Sequence, residues 1–289
     1  MAGRGGKTGL GGRVVAITGS GRGIGLATAK ALAALGAKVA IGDIDEALAH
    51  RAAAELGRGH HGRRLDVRDK ASFAAWIEGA ERALGPVDVL VNNAGIMPAG
   101  PFLEESDAIS DTQIDVNLRG VIHGCKVVLP GMIARGRGHV VNVASMAGRL
   151  AVPGLAVYCA TKFAVVGLTE TLREEYRDAG IDFSLVNPSK VTTELASGTE
   201  NAARGIPTVS PEDVAQAVVD CLQQKLPEVA VPRYLDSLNA LQGMAPHALL
   251  RGIRRSIGDR RVLERIDPAA RAGYDRRIAS LADSTKRKP

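Results

Sequence analysis

The 289-residue chain is 45% hydrophobic and 24% charged, which is ordinary for a globular protein and enough for one large α/β domain or two small ones. No run approaches the ~18 consecutive apolar residues of a membrane span, and the glycine-rich first twelve residues lack the apolar stretch of a signal peptide. Three scattered cysteines, Cys125, Cys159 and Cys221, argue against a disulfide framework or a zinc site. We expect a cytoplasmic protein that holds no metal, with residues 1–11 as a flexible leader.

Strand and helix patterns alternate along the chain as far as residue 231. Short apolar runs predict seven strands, at Val14–Thr18, Lys38–Asp43, Arg63–Val67, Val87–Asn92, Gly138–Ser145, Ile181–Asn187 and Glu228–Val231. Three- and four-residue apolar spacing predicts helices at Ile24–Leu35, Lys70–Leu84, Asp107–Leu129, Leu155–Tyr176 and from Ser210 to about Lys225. The alternation predicts an α/β fold with a doubly wound parallel sheet, and residues 12–231 form one domain.

A glycine-rich turn, Thr18-Gly-Ser-Gly-Arg-Gly-Ile-Gly25, lies between the first predicted strand and helix. Such a turn lets backbone N–H groups approach a pyrophosphate at the helix N-terminus. The spacing of Gly19, Gly23 and Gly25 is not the general dinucleotide G-x-G-x-x-G pattern, and many strand–helix turns need glycine merely to bend. The turn therefore indicates a dinucleotide site only in combination with other residues.

Asp43 closes the second predicted strand, at the place where an acidic residue contacts the ribose hydroxyls of NAD. Its carboxylate would repel the 2′-phosphate of NADP, and Ile44 follows where a basic residue would have suggested NADP. Arg22 in the glycine turn weakly favours NADP. Asp43 could instead cap the segment that begins at Asp45. The pattern favours NAD and leaves the capping role open.

Tyr158 and Lys162 stand four residues apart on a predicted helix, so their side chains share one face. Free tyrosine titrates near ~10, and a nearby positive charge lowers that pKa. The pair could serve as an acid–base device, although most such pairs are an amphipathic side chain beside a solvated charge. Two further polar residues bear on the choice: Ser145 ends a predicted strand, and Asn117 is a poor helix former inside a predicted helix.

Taken together, these residues resemble the short-chain dehydrogenase/reductase family. The matching elements, in the family's order and approximate spacing, are Thr18-Gly-Ser-Gly-Arg-Gly-Ile-Gly25, Asp66, Asn92-Asn-Ala-Gly95, Asn117, Ser145, Tyr158-Cys-Ala-Thr-Lys162 and Pro188 to Thr193. The resemblance covers roughly Gly12 to Val231. It implies a Rossmann-type fold, a nicotinamide cofactor, and interconversion of a secondary alcohol and its ketone. One departure is Ser189, where the family usually has glycine, so the local backbone turn is expected to differ.

The resemblance also implies a role for each site residue. Tyr158 would be the general acid or base, Lys162 would lower its pKa and bind the nicotinamide ribose, Ser145 would hold the substrate oxygen, and Asn117 would hold a water that links Lys162 to solvent. The implied cofactor-binding residues are Gly19, Arg22, Gly23, Ile24 and Gly25 at the pyrophosphate turn, Asp43 at the adenosine ribose, Asp66 and Val67 at adenine, Asn93, Ala94 and Gly95 along the ribose, and Tyr158, Lys162, Pro188, Val191 and Thr193 at the nicotinamide. Relatives are commonly tetramers, so we expect a homo-oligomer, either a tetramer or a dimer.

Residues 232–289 form a basic C-terminal extension with thirteen Lys or Arg and six Asp or Glu, which accounts for the net charge of +6. Helix-like apolar steps run from Tyr234 to Ile257, broken at Gly243 and Pro246. We expect helices that pack on the active-site mouth or on a partner subunit. Peripheral contact with an anionic membrane is a second possibility, and nucleic-acid binding is disfavoured because no aromatic platform accompanies the basic residues.

Two expectations about function follow from this region. The small, polar segment Glu194 to Thr208 is typical of a mobile lid, and the Leu and Ile richness near it suggests a lipophilic substrate. The alternative to an enzyme is a nucleotide-binding regulator or scaffold that kept the fold and lost the chemistry. A scaffold needs none of Asn117, Ser145, Tyr158 and Lys162, so the complete set favours an NAD(H)-dependent oxidoreductase.

Overall fold

The computed structural model describes residues 8–199, 207–236 and 266–286. Its main sheet has seven parallel strands in the order β3-β2-β1-β4-β5-β6-β9. These strands are β1 Val14–Thr18, β2 Lys38–Asp43, β3 His61–Arg64, β4 Val87–Asn92, β5 Gly138–Val143, β6 Ile181–Pro188 and β9 Glu228–Val231. Two short strands, β7 Lys190–Val191 and β8 Thr208–Val209, pair separately. The predicted Rossmann-type doubly wound sheet is confirmed.

Helices cover both faces of the sheet. They are α1 Gly23–Ala34, α2 Glu46–Leu56, α3 Lys70–Leu84, α4 Asp107–Ile114, α5 Gly120–Ala134, α6 Ala156–Glu175, α7 Pro211–Gln224 and α8 Pro268–Lys286. Helices α1, α2 and α7 pack in one apolar cluster, with Ile17 and Ile41 of the sheet. Helices α3, α5 and α6 pack in the opposite cluster, with Leu90 and Leu185. No helix in the described part of the chain is both long and apolar enough to cross a membrane.

The strand order reverses between β1 and β4, and this reversal positions the site. In open α/β sheets, ligands bind outside the carboxyl ends of the strands at such a point. The glycine turn follows β1 and the Asn93-Ala-Gly95 segment follows β4. Both segments therefore border the same crevice.

Two predicted strands have different ends in the structure. The third is His61–Arg64 instead of Arg63–Val67, because Asp66 N bonds to Ser72 Oγ and turns the chain toward α3. The fifth ends at Val143, so Ser145 lies in the following turn instead of in the strand. Both changes leave the functional side chains in turns at the carboxyl edge of the sheet.

The predicted long helix Asp107–Leu129 is divided by a π-helical turn at Asp115–Arg119, which contains Asn117. Helix α5 then continues through Pro130 to Ala134, five residues beyond the predicted end at Leu129. Pro130 removes a backbone donor, but Val128, Leu129 and Met132 on the same turns are buried in the core. Their packing outweighs the local cost of the proline.

The terminal segments also differ from expectation. Part of the predicted leader is packed, since Leu10 is buried in the core and Thr8 N bonds to Gln223 O at 2.9 Å. Residues 200–206 of the predicted lid and the apolar steps from Leu238 to Ile257 lie outside the described residues. The C-terminal extension contributes α8, which packs against α4 beside the crevice.

Candidate active site

The glycine turn folds tightly against the segment after β4. Gly19 and Gly23 have φ values of 62° and 55°, in the left-handed region that favours glycine. A Cβ on Gly19 would lie 2.8 Å from Ala94 Cα, and one on Gly25 would overlap Gly19 O. The N-cap residue of α1, Arg22, makes no side-chain capping bond, and no acidic residue lies in the first turn of the helix. A bare helix N-terminus behind glycines fits a pyrophosphate, and Ile24 packs against the core beneath it.

Asn93 holds this turn in place. Its Nδ2 donates to Thr18 O and to Gly19 O, each at 3.0 Å. Thr18 Oγ1 accepts from the backbone N–H groups of Asn93 and Ala94. The side chain of Asn93 is therefore bound to the glycine turn. If this segment contacts the ribose, as the sequence predicts, it does so through its backbone.

Asp43 lies at the carboxyl end of β2 and is buried. Its Oδ2 accepts from Gly21 N at 3.0 Å, and its Oδ1 accepts from Asp45 N at 3.1 Å. Asp45, not Asp43, caps α2, because its side chain accepts from Leu48 N. A carboxylate has about four acceptor positions. Asp43 therefore keeps capacity for the two hydroxyls of an adenosine ribose beside the glycine turn.

The predicted adenine site carries an ion pair. Arg68 donates from Nε to Asp66 Oδ1 at 2.9 Å and from Nη2 to Asp66 Oδ2 at 2.8 Å. The same guanidinium donates from Nη1 to Leu281 O of α8. Val67 is buried against Gly120. This end of the crevice is thus joined to the C-terminal helix by Arg68.

Tyr158 and Ser145 meet at the centre of the crevice. Tyr158 is buried, and burial raises its pKa to about 12, although a hydrogen bond with the Ser145 side chain acts to lower it. Ser145 follows β5 and its Oγ accepts from Ala147 N at 3.1 Å. Burial outweighs any lowering of the pKa of Tyr158 by Lys162, contrary to the sequence expectation. Tyr158 is therefore protonated at neutral pH and able to donate its proton.

Lys162 lies one helical turn after Tyr158, with Nζ 5.7 Å from the centre of the tyrosine ring. Burial lowers its pKa to about 8, so the ammonium is still charged at pH 7. In the described part of the chain, Val143 O at 3.0 Å is its one hydrogen-bond acceptor. Two of its three N–H groups are free to bind a ribose hydroxyl or other acceptor.

Asn117 secures the loop after β4. Its Oδ1 accepts from Ile96 N at 2.8 Å, and its Nδ2 donates to Ile96 O at 2.9 Å and Thr161 Oγ1 at 3.2 Å. A Cβ on Gly95 would lie 3.3 Å from Asn117 Oδ1 and 3.7 Å from Lys162 Nζ. The side chain of Asn117 thus ties Ile96, next to Gly95, to the Tyr158 helix, and the expected water contact stays a prediction.

The nicotinamide side follows β6. Pro188 O faces Ser145 Oγ at 3.5 Å, and a Cβ on Gly23 would lie 3.6 Å from Thr193 Cγ2, so this segment extends from Ser145 at the centre of the crevice to the glycine turn. The side chain of Val191, which was predicted to lie at the nicotinamide, is instead buried in the core. Ser189 replaces the usual glycine without a positive φ; its Oγ donates to Pro207 O at 2.7 Å.

Sequence reasoning missed four residues that lie beside this site. Glu194 accepts from Arg22 Nη1 at 3.0 Å and is paired with Arg277 of α8. Although partial burial acts to raise it, the pKa of Glu194 is lowered by these two cations, Arg277 first. Arg271 and Tyr274 of α8 both contact the backbone of Met97. No motif in the sequence marks these residues, because their contacts join segments more than seventy residues apart.

Comparison with known proteins places the chain in a family. The family model described as short chain dehydrogenase matches residues 13–204, about two thirds of the chain. The protein belongs to the short-chain dehydrogenase/reductase family. Its members share the Rossmann-type fold seen here, and the chain is an oxidoreductase of this family.

Curated relatives match along most of their length. Oxidoreductase UcpA of Escherichia coli strain K12 is 37% identical over 251 residues, which cover 86% of this chain and 94% of the relative. 2-(S)-hydroxypropyl-CoM dehydrogenase 3 of Xanthobacter autotrophicus is 39% identical over 229 residues, covering 73% and 90%. A solved short-chain dehydrogenase/reductase from Burkholderia phymatum, in complex with NAD, has a TM-score of 0.74 and 31% identity, covering 82% of this chain and 95% of its own.

Proposed function

We propose that this short-chain dehydrogenase/reductase interconverts a secondary alcohol and its ketone with NAD(H) on a lipophilic substrate. The observation that carries the proposal is the arrangement of Ser145, Tyr158 and Lys162 beside a glycine turn that leaves a helix N-terminus bare. The bound cofactor supplies or accepts the hydride. The protein's own residues then have to hold the reacting oxygen and move one proton.

Tyr158 is the proton donor for ketone reduction. Its raised pKa keeps the phenol protonated at neutral pH, and Ser145 shares a hydrogen bond with it. A substrate oxygen between these two hydroxyls receives a hydrogen bond as negative charge develops on it. Lys162 keeps a positive charge one helical turn away, which favours the phenolate that remains after proton transfer. In the oxidation direction the same groups act in reverse.

Two features support NAD over NADP. Asp43 puts a buried carboxylate beside Gly21, where it binds ribose hydroxyls and repels a 2′-phosphate. Arg22, the residue that weakly favoured NADP, is paired with Glu194. Solved relatives hold NAD in one case and NADP in another, so the choice of NAD rests on Asp43 and Arg22.

A lipophilic substrate is supported by the surroundings of Tyr158. Tyr158, Cys159, Met97 and Ala147 form a small buried cluster, against which Val152, Leu155 and Leu195 pack. Burial raises the pKa of the Cys159 thiol, so its role here is packing. Apolar walls favour a hydrocarbon chain on the side of the substrate away from the hydride.

The test is NADH oxidation with a panel of methyl ketones from 2-butanone to 2-decanone, followed by absorbance. Tyr158→Phe should lower kcat by about 10²- to 10⁴-fold, the usual contribution of a general acid. Tyr176→Phe is the matched control, since Tyr176 ends the same helix and packs against Phe183. The kcat/KM should rise with chain length.

The alternative, a nucleotide-binding regulator or scaffold, makes a different prediction. It would bind NADH by titration, while wild type and Tyr158→Phe would be equally inactive across the whole panel. Homo-oligomeric assembly and a cytoplasmic location stay predictions from the sequence.

A further inference from the structure

We propose that Tyr274 of the C-terminal helix α8 is a specificity-determining residue, whose hydroxyl donates a hydrogen bond to a second oxygen atom of the substrate. The preferred substrates would be alkoxy, hydroxy or keto derivatives of the ketone or alcohol. This inference rests on the proposed oxidoreductase function and names the polar feature of its substrate.

Tyr274 reaches the active site through Met97. Its hydroxyl oxygen accepts from Met97 N at 2.8 Å, and Met97 packs in the same small cluster as Tyr158. Burial raises the pKa of Tyr274, the hydrogen bond from Met97 N and the charge of Arg271 act to lower it, and an ionised Tyr158 adds a smaller rise. The two phenols therefore lie within electrostatic reach of each other.

In the part of the chain that the structure describes, the Tyr274 proton has no acceptor. Within residues 8–199, 207–236 and 266–286, the hydroxyl has Met97 N as its donor and no partner that receives its own hydrogen. Tyr274 is 9% exposed. A buried phenol normally donates to a partner, because an unmade hydrogen bond costs about 1–3 kcal/mol. An oxygen atom of the substrate would satisfy this donor.

Arg271 fixes the position of Tyr274. It is 1% exposed and donates to Met97 O at 2.7 Å and to Ser197 O at 2.9 Å. Its guanidinium lies 5.2 Å from the centre of the Tyr274 ring. Asp275 Oδ1 is 3.6 Å from Arg271 Nε, too far for a hydrogen bond, so backbone carbonyls hold this buried cation. Arg271 is thus a positioning residue that joins α8 to both Met97 and the start of the lid.

The experiment compares 2-octanone with ethers in which oxygen replaces one methylene at successive positions along its chain, for example 1-butoxy-2-propanone. These pairs have the same length and nearly the same shape, so they differ mainly in the hydrogen-bond acceptor. For wild type, one ether should exceed 2-octanone in kcat/KM by about tenfold, which corresponds to about 1.4 kcal/mol. Tyr274→Phe should remove that preference and leave 2-octanone within about twofold.

Tyr274→Phe also removes the acceptor for Met97 N, so a control must separate recognition from loosening of α8. Arg271→Met keeps the phenol but frees both α8 and the Tyr274 ring that Arg271 positions. It should therefore lower kcat/KM for 2-octanone as well as the preference for the ether, whereas Tyr274→Phe should lower the preference alone. Tyr234 is 59% exposed, so Tyr234→Phe should leave kcat/KM unchanged both for 2-octanone and for the ethers. Equal losses on all substrates in Tyr274→Phe, or wild-type values within twofold for every ether, would overturn the proposal.

A calorimetric titration of the same ketones into the NADH-loaded enzyme measures binding without turnover. It therefore separates the role of Tyr274 from the proposed function. If wild type turns over no ketone but still binds one ether more tightly than 2-octanone, and Tyr274→Phe does not, the proposed function fails and the role of Tyr274 stands. If binding shows no such difference either, both fail.

Discussion

The cofactor side of Tyr158 is built mainly from backbone, whereas the substrate side is built from side chains that come from distant parts of the chain. On the first side, the glycine turn, Asn93 and Gly95 follow strand ends within the first hundred residues. On the second, Met97 is held by Arg271 and Tyr274, which lie about 175 residues later. The two sides meet at the catalytic tyrosine.

The difference has a physical cause. A dinucleotide's phosphates require backbone to approach closely, which restricts the residue type at fixed short spacings. A substrate wall requires a helix to pack somewhere over the crevice, and many sequences can do this. We therefore expect changes on the cofactor side to affect every substrate, and changes on the substrate side to affect substrates selectively.

The largest effect is expected from Gly25→Ala. The added Cβ would overlap Gly19 O and lie 2.7 Å from Asn93 Nδ2, so the glycine turn must move. Affinity for NADH should fall about 100-fold, equivalent to about 3 kcal/mol. Gly167→Ala in α6 is the control, because a Cβ there meets no atom within 4 Å. Fluorescence titration with NADH measures the dissociation constants of both variants. An unchanged dissociation constant for Gly25→Ala would contradict this account of the cofactor side.

Asp43→Asn should change the choice of cofactor. The amide keeps the shape of the side chain and removes the charge that opposes a 2′-phosphate. The ratio of kcat/KM for NADPH to that for NADH should rise about 30-fold, equivalent to about 2 kcal/mol. Asp45→Asn is the matched control, since asparagine also caps helices well. A ratio that moves equally in both variants would show that Asp43 does not select the cofactor.

The contrast between the two sides also explains what the sequence could predict. Gly19, Asp43, Ser145 and Tyr158 could be placed because strand ends and the family motif fix their spacing. The position of α8 could not, because Arg271 binds backbone carbonyls, which every residue has, and such contacts leave no pattern in the partner sequence. Helix α5 runs past its predicted end at Leu129 for a related reason, since burial of neighbouring apolar residues can override the local helix breaker Pro130.

Gly198→Ala tests the substrate side. Gly198 has a φ of 71°, and a Cβ there would lie 2.5 Å from both Arg271 Cγ and Asp267 O, so α8 must shift. We expect KM for 2-octanone to rise about tenfold, equivalent to about 1.4 kcal/mol, while NADH affinity changes less than about threefold. Gly273→Ala, on α8 itself and with open space around it, should be neutral. A loss of NADH affinity equal to the rise in KM would mean that the two sides are not separable.

Lys162→Met should inactivate the enzyme and yet stabilise its fold at neutral pH. Catalysis requires a buried ammonium, and burying that charge lowers the free energy of unfolding. Burial lowers the pKa of Lys162 from 10.5 to about 8, a difference that costs up to about 3 kcal/mol of stability at pH 7.

The sign of the pH dependence follows from that shift. Below pH 8 the lysine is protonated in both the folded and the unfolded chain, so the full cost is present. Between pH 8 and about 10.5 the unfolded chain binds more protons, so wild-type stability rises with pH and the advantage of Lys162→Met shrinks.

Loss of the hydrogen bond to Val143 O offsets about 1 kcal/mol of the gain, which leaves about 2 kcal/mol, or about 5 °C in Tm, at pH 7. Thermal melts at pH 7 and pH 9.5 measure the change. Lys30→Met is the control, because Lys30 is about half exposed and paired with Glu55, and its difference from wild type should not vary with pH. If Lys162→Met melts below wild type at pH 7, the surroundings of the buried ammonium stabilise it. The expectation that this charge lowers the stability of the folded protein would then be wrong.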